Sequence, residues 1–347
     1  MKKIAGLMLV IFSFSVNAGF AQNVDYKGRV YLYGELHGVK KITDKELALW
    51  QAYYKKGFRH LFLELPYYTA EYLNMWLKEK DNTILEAVYN DWKGSAFYNR
   101  HTFDFFVQIK LHCPQTIFHG TDIGHQYDTT GLRFLSYLET ANQKNTPAYM
   151  RTHEIISQGK KYYNEPKPKN MIYRENMMVK NFTYELKKLN NADIMGIYGF
   201  AHTGLESSDM TGTIPCMANQ LKAFYGNAIN SEDLSYLAKE IEPIRTDTIS
   251  AGNKIYKAYY YGKQDLNGFK GFLYREFWQL DNAYSMLKDK VKTGDVLPYN
   301  NYPMNVEIGN VYVIDYTKTD KTTMRLFYIS DGKLWNGQPV TENIVLE

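Results

Sequence analysis

Cysteine is scarce in this chain. Only Cys113 and Cys216 occur among 347 residues. Neither has a second cysteine nearby at the spacing of zinc ligands, which disfavours a Cys-Cys metal site. The pair leaves two states open. An oxidising compartment would permit a disulfide, and two buried thiols fit the sequence equally well. Charge of one sign is also lacking. The formal net charge is +4, from 41 Lys and Arg against 37 Asp and Glu. Nucleic-acid binding needs a clustered basic face, so no nucleic-acid partner is expected. Beyond the N-terminal stretch there is no run long and apolar enough for a transmembrane helix. Several catalytic signatures are missing too. Without a Gly-x-Ser-x-Gly elbow, a serine nucleophile has no sequence support. Without a Walker A loop or a Gly-x-Gly-x-x-Gly fingerprint, nothing marks a nucleotide site.

What is present begins with Lys2 and Lys3, an apolar stretch from Ile4 to Val16, and small residues at Ala18, Gly19 and Ala21. A basic start, a short apolar core and a small-residue exit make a secretory signal peptide over residues 1–21. Cleavage would follow Ala18 or Ala21. Neither is followed by cysteine, so no lipid anchor is expected, and the protein is read as exported, either periplasmic or secreted. With 45% hydrophobic and 22% charged residues the rest is globular. Tyrosine is abundant, at 31 residues. Its apolar ring and polar tip suit clefts and wet interfaces, although it also serves as strand filler.

Arg29 to Tyr33 reads as a buried strand, Lys45 to Lys56 as an amphipathic helix closed by Gly57, and HLFLEL over 60–65 as a second strand. This β-α-β order implies parallel strands with a right-handed crossover. Helices are expected over Tyr68 to Lys80, Phe103 to Leu111, Leu132 to Asn142, Tyr149 to Lys160, Tyr173 to Leu189 and Cys216 to Phe224. Residues 115–122 and 192–199 supply further strands. After about residue 245 the pattern changes to short β-like runs at Lys254–Tyr261, Asn310–Tyr316 and Thr323–Ile329, with one strong helix expected from Leu273 to Val291. The fold class is therefore α/β, a mainly parallel sheet with helices on both faces, over residues 22–245. A smaller C-terminal α+β appendage follows over 246–347.

In open parallel sheets ligands bind outside the carboxyl ends of the strands. The first strand ends in GELHG, delivering Glu35 and His37. The second delivers Glu64, the third Asp122 with His125 close behind, and the fourth His202, in YGFAH. Acids and imidazoles thus meet at one edge four times. Imidazoles and carboxylates can bind a divalent transition metal. They can equally form a metal-free acid–base site in which a carboxylate holds a histidine tautomer. A carboxylate inside Leu-Glu-Leu-Pro is costly to bury unpaired, so Glu64 needs a partner. Asp122 reads either as a helix N-cap or as part of the site. His125 reads as a solvent-exposed loop residue. His60, His101, His112, His119 and His153 read as structural or surface residues. Glu175 suits a first helical turn. Arg174 does not, which makes it a candidate electrostatic stabiliser.

Taken in order, GELHG, FLELP, HGTD, YRENMMVKN and YGFAH resemble the superfamily that joins erythromycin esterase-like hydrolases, ChaN-like haem-binding proteins and TraB/Tiki proteins. The resemblance covers roughly residues 28–225. It implies that Glu35, His37, Glu64, Arg174 and His202 line a pocket. By similarity to the esterase-like branch, His37 would be a general base that activates water. By similarity to the Tiki branch, His37 and His202 would bind a divalent metal, with Glu64 and Asp122 as further candidate ligands. Only Leu36 separates Glu35 from His37, a spacing that resembles the ChaN-like branch. The expected function is an exported ester or amide hydrolase acting on a small-molecule or peptide substrate. The alternative is a protein that binds haem or another iron-bearing ligand through Tyr or His. Haem wants apolar walls, and a ring of acids suits it poorly.

Overall fold

The computed structural model describes residues 26–266, 269–335 and 338–346. The signal peptide expected at residues 1–21 lies outside them. The chain divides into two compact units that interleave in sequence. The first comprises residues up to Gly34, Ala52–Asp91 and Cys113–Glu232; the second comprises Glu35–Gln51, Trp92–His112 and Asp233–Glu347. No helix among the described residues is long and apolar enough to cross a membrane.

The N-terminal two-thirds alternates strands and helices: β1 (Val30–Glu35), α1 (Lys40–Lys55), β2 (His60–Pro66), α2 (Tyr67–Trp76), α3 (Thr83–Asp91), α4 (Arg100–His112), β3 (Ile117–Asp122), α5 (Leu132–Thr140), α6 (Pro147–Asn164), α7 (Lys169–Leu186), β4 (Ile194–Gly199), α8 (Met217–Tyr225) and β5 (Ile229–Asp233). The strands form a five-stranded sheet in the order β3-β2-β4-β1-β5. β2 runs parallel to both β3 and β4, with Phe62 beside His119 and Gly196. Side chains alternate across a pleat. Val30, Leu32, Phe62, Ile194 and Tyr198 therefore share one face, and α7 and α8 cover it with Met178, Phe182, Met217 and Leu221. Leu61, Leu63 and Leu65 of β2 are also buried, on the opposite face. Burial on both faces is why these strands read as continuous apolar runs.

The remaining strands are β6 (Arg245–Ala251), β7 (Lys254–Asp265), β8 (Phe272–Leu280), β9 (Lys292–Pro298), β10 (Val311–Lys318), β11 (Thr323–Ile329), β12 (Leu334–Trp335) and β13 (Gln338–Ile344), with one short helix, α9 (Tyr284–Leu287), among them. They build a mainly antiparallel sheet, ordered β12-β13-β11-β10-β8-β7-β6, in which β9 pairs with β13. Its two faces carry separate cores. Val311, Val313, Trp278 and Leu280 lie in one; Phe277, Tyr312 and Ile314 lie in the other. The fold is thus α/β with an α+β appendage.

The helix expected from Leu273 to Val291 is not formed. The first eight residues of that segment belong to β8, paired with β7 and β10, and only Tyr284–Leu287 is helical. The reason is visible in Phe277 and Trp278: these neighbours are buried in different cores. A strand places consecutive side chains on opposite faces, and one stripe of a helix does not. The Cys113 and Cys216 thiols are both buried and free, which settles the choice between a disulfide and two thiols.

Candidate active site

Glu64, Asp122, Arg174 and His202 converge in the first unit. α7 brings the arginine. Its inward stripe runs Arg174, Glu175, Met178, Asn181, Phe182 and Glu185, at the spacing of one helix face. α7 begins at Lys169, earlier than the sequence suggests, so Arg174 stands in its second turn. Its charge is matched by carboxylates from two strands. Nε donates to Asp122 Oδ1 at 3.1 Å and Nη2 to Oδ2 at 2.6 Å, a bidentate fork. Nη2 also donates to Glu64 Oε1. Glu64 Oε2 in turn accepts the backbone N–H of Gly199 at the end of β4. Burial disfavours the guanidinium charge, but Asp122 and Glu64 outweigh that cost and raise the Arg174 pKa well above its ordinary value.

His202 follows β4 and is 6% exposed. Its Nδ1 is hydrogen-bonded to Glu175 Oε1. Its Nε2 lies 3.3 Å from Arg174 Nη1 and 3.7 Å from Glu64 Oε1. Burial pulls the His202 pKa down. The Glu64 charge and the Glu175 hydrogen bond pull it up and prevail, so the net shift is upward. Glu175 is itself anchored, because its Oε2 accepts the Met217 N–H at 2.7 Å, at the N-terminus of α8. The dipole that Glu175 complements is therefore that of α8, not that of its own helix.

Asp122 is the last residue of β3 and fully buried. It caps no helix. Burial would raise its pKa, but Arg174 and His125 hold the carboxyl well below the usual carboxylate range. His125 is tied down rather than free in a loop. Its Nε2 lies 3.2 Å from Asp122 Oδ2, and its Nδ1 lies 2.7 Å from the Tyr163 hydroxyl. The Tyr68 hydroxyl donates to its backbone carbonyl. Asn181 extends the network by donating to the Asp122 carbonyl at 3.1 Å.

Glu35 and His37 pair with each other in the second unit. His37 Nδ1 lies 2.8 Å from Glu35 Oε1, and the imidazole packs on Phe97 with ring centroids 4.6 Å apart. A carboxylate only accepts, so the Nδ1 proton belongs to this bond and the lone pair is on Nε2. Glu46 of α1 stands in the same electrostatic neighbourhood. It is buried among Ile42, Thr43 and Trp50 on one helix face. Its Oε1 has no hydrogen-bond partner. Burial and the Glu35 charge raise its pKa well above the usual value, while His37 opposes them.

Sequence reading therefore named five residues of these two clusters as catalytic and missed Glu175, Glu46, His125 and Tyr163. Glu175 was traceable: with Met178 and Phe182 it falls on the apolar stripe of α7, and a carboxylate there needs a partner. Tyr163 carried no signal among so many tyrosines. His119 is structural, stacked on Phe62 at 4.6 Å and hydrogen-bonded to Glu185 and His60.

The donor set fits a divalent metal poorly. Arg174 already occupies oxygens of Asp122 and Glu64 and places a cation where the metal would sit. Among the described residues no group of three or more His, Cys, Asp or Glu is arranged to hold a metal ion.

The chain is structurally similar to an erythromycin esterase. That likeness, to a mutant in its open conformation, has a TM-score of 0.45 at 10% identity and covers 66% of this chain and 75% of the other. A Bacillus cereus protein matches with a TM-score of 0.43 at 15% identity, over 91% of this chain and 85% of that one. A succinoglycan biosynthesis protein matches with a TM-score of 0.46 at 11% identity, over 66% and 70%. At TM-scores below 0.5 such likeness identifies neither substrate nor reaction. No protein-family model matches the chain, and no curated protein matches it.

Proposed function

We propose that the protein is an exported hydrolase of esters or amides with a small-molecule or peptide substrate. The observation that carries this reading is the buried His202, held by Glu175 at one nitrogen and faced by Arg174 and Glu64 at the other. A guanidinium cation and a buried imidazole on a rigid anionic frame can stabilise an oxyanion as it develops, because their dipoles and charges need no reorganisation. In the second unit the Glu35–His37 pair is, by itself, a further candidate acid–base pair. With its tautomer held by Glu35, His37 Nε2 is basic and can take a proton from water. Each role is assigned from that residue's own surroundings. No step passes through a metal.

The test is hydrolysis of p-nitrophenyl esters and anilides by the purified protein. His202→Asn and Arg174→Lys are expected to lower kcat by about 100-fold or more, the usual effect of losing an oxyanion donor. His37→Ala is expected to lower it similarly through loss of the base. Variants that keep their circular dichroism and full activity would reject the assignment. Export has its own measurement: the N-terminus of the protein recovered outside the cytoplasm should be Gly19 or Gln22.

A further inference from the structure

We propose that Tyr163, His125 and Asp122 form a nucleophilic triad in which the Tyr163 phenolic oxygen attacks the acyl carbon of the substrate. This rests on the hydrolase reading and deepens it, because no Gly-x-Ser-x-Gly elbow supplies a nucleophile. The order of contacts is the generalised triad: a nucleophile within hydrogen-bond reach of a base, and the base oriented by a third group. Tyr163 Oη to His125 Nδ1 is 2.7 Å. His125 Nε2 to Asp122 Oδ2 is 3.2 Å.

The protonation pattern follows from the partners. Asp122 is anionic and accepts only, so His125 carries its proton on Nε2. Nδ1 then holds the lone pair that receives the Tyr163 O–H. Accessibility runs the right way along the chain. Tyr163 is 54% exposed, and Asp122 is 0% exposed. Burial, together with Tyr162 and Asp122, raises the Tyr163 pKa. The resting group is thus a phenol and needs a base to react. The scaffold also holds the pair in register. Gly124, beside His125, meets α6 backbone to backbone: a Cβ built on Gly159 would lie 1.9 Å from the Gly124 carbonyl oxygen. Tyr163 is one helical turn further along α6.

The chemistry balances without another reactant. In the first step the Oη–acyl carbon bond forms and the phenolic proton passes to His125 Nδ1. The bond to the leaving oxygen or nitrogen then breaks, and that atom takes the proton. In the second step water attacks the aryl ester, an imidazole takes the water proton, the acyl–Oη bond breaks and the phenol regains its proton. An aryl ester is a reactive intermediate, because a phenol leaves more readily than an alkyl alcohol.

The experiment is acetylation by N-acetylimidazole, followed by peptide mass spectrometry. This measures activation of Tyr163 whether or not a natural substrate is known. Tyr163 should be labelled at least about 100-fold faster than Tyr137 and Tyr236, the low end of what a positioned base contributes. Those comparators are 43% and 50% exposed. His125→Gln should abolish the preference. In the unmodified protein the Tyr163 rate should level off with the titration of an imidazole. A rate that climbs with phenol ionisation, or equal labelling of the three tyrosines, overturns the triad. Turnover of p-nitrophenyl acetate with no acetyl on Tyr163 after a rapid acid quench overturns it too, while leaving the hydrolase reading in place. Selective labelling with no turnover of any ester or anilide rejects the hydrolase reading and keeps the activated tyrosine.

Discussion

His202 and Glu175 set the electrostatics of the site at the level of single residues. A histidine whose folded pKa is raised contributes stability that is full below its unfolded value and lost as pH rises through the folded one. Glu175→Gln removes one of the two groups that raise it. The His202 resonance in an NMR pH titration should then move its midpoint downward, and an unchanged midpoint would break the link. Glu71 gives the opposite sign. Burial and Glu185 raise its pKa to about 7, so the folded state disfavours the carboxylate. Stability falls as pH rises from the ordinary glutamate range to about 7. Glu71→Gln should therefore stabilise the protein by roughly 3 kcal/mol near pH 8 and by almost nothing near pH 4. Urea unfolding at both pH values measures this, and an equal effect at both would refute it. Glu64 was legible as a buried carboxylate from its apolar flanks alone. Glu175 was traceable from the stripe it shares with Met178 and Phe182, but a first-turn glutamate also has an ordinary explanation, which lapsed once α7 proved to begin at Lys169.

Among the elements, α7 and α6 organise the first unit. α7 lays Arg174, Glu175 and Asn181 against the strand ends. α6 carries Tyr163 and meets the chain after β3 at Gly124 and Gly159. There is no room for a methyl group at that crossing, because Gly124 backbone atoms lie within 3 Å of a Cβ on Gly159. Gly159→Ala should cost about 1–3 kcal/mol, the usual range for overpacking. It should also reduce Tyr163 labelling by moving the helix from His125. A thermal melt and the labelling assay test the two effects separately, and unchanged values for both would show that the crossing yields. The parallel strands were legible as short apolar runs closed by Gly, Pro or Asp, and β11 falls at the expected Thr323–Ile329. β8 was not, since FLYREFWQL has the length and composition of a buried helix turn until its pairing with β7 and β10 is known.

For the whole molecule, the decisive test is which ligand it holds. The Arg174–Asp122–Glu64 network predicts that dialysis against EDTA leaves ester hydrolysis unchanged, and that elemental analysis finds no stoichiometric divalent metal. Activity lost to EDTA and restored by zinc or manganese would require the carboxylates to exchange Arg174 for a metal. Added haem should produce no sharp visible spectrum, and a stoichiometric one would favour the haem alternative. The two compact units explain why composition gave so little warning of the architecture. The second unit gathers Glu35–Gln51 and Trp92–His112 with the C-terminal strands, and nothing in the local pattern of those segments announces the association.

The sequence by itself determined the α/β class, the parallel pairing and the candidate residues at the strand ends. Those features depend on local periodicity and on the cost of burying a charge, both of which act within a few residues. Tertiary structure alone decided the partners. Glu175 beside His202, Asp122 between Arg174 and His125, and Tyr163 on the far nitrogen of that imidazole all join segments distant in the chain. Only packing brings such groups within hydrogen-bond reach.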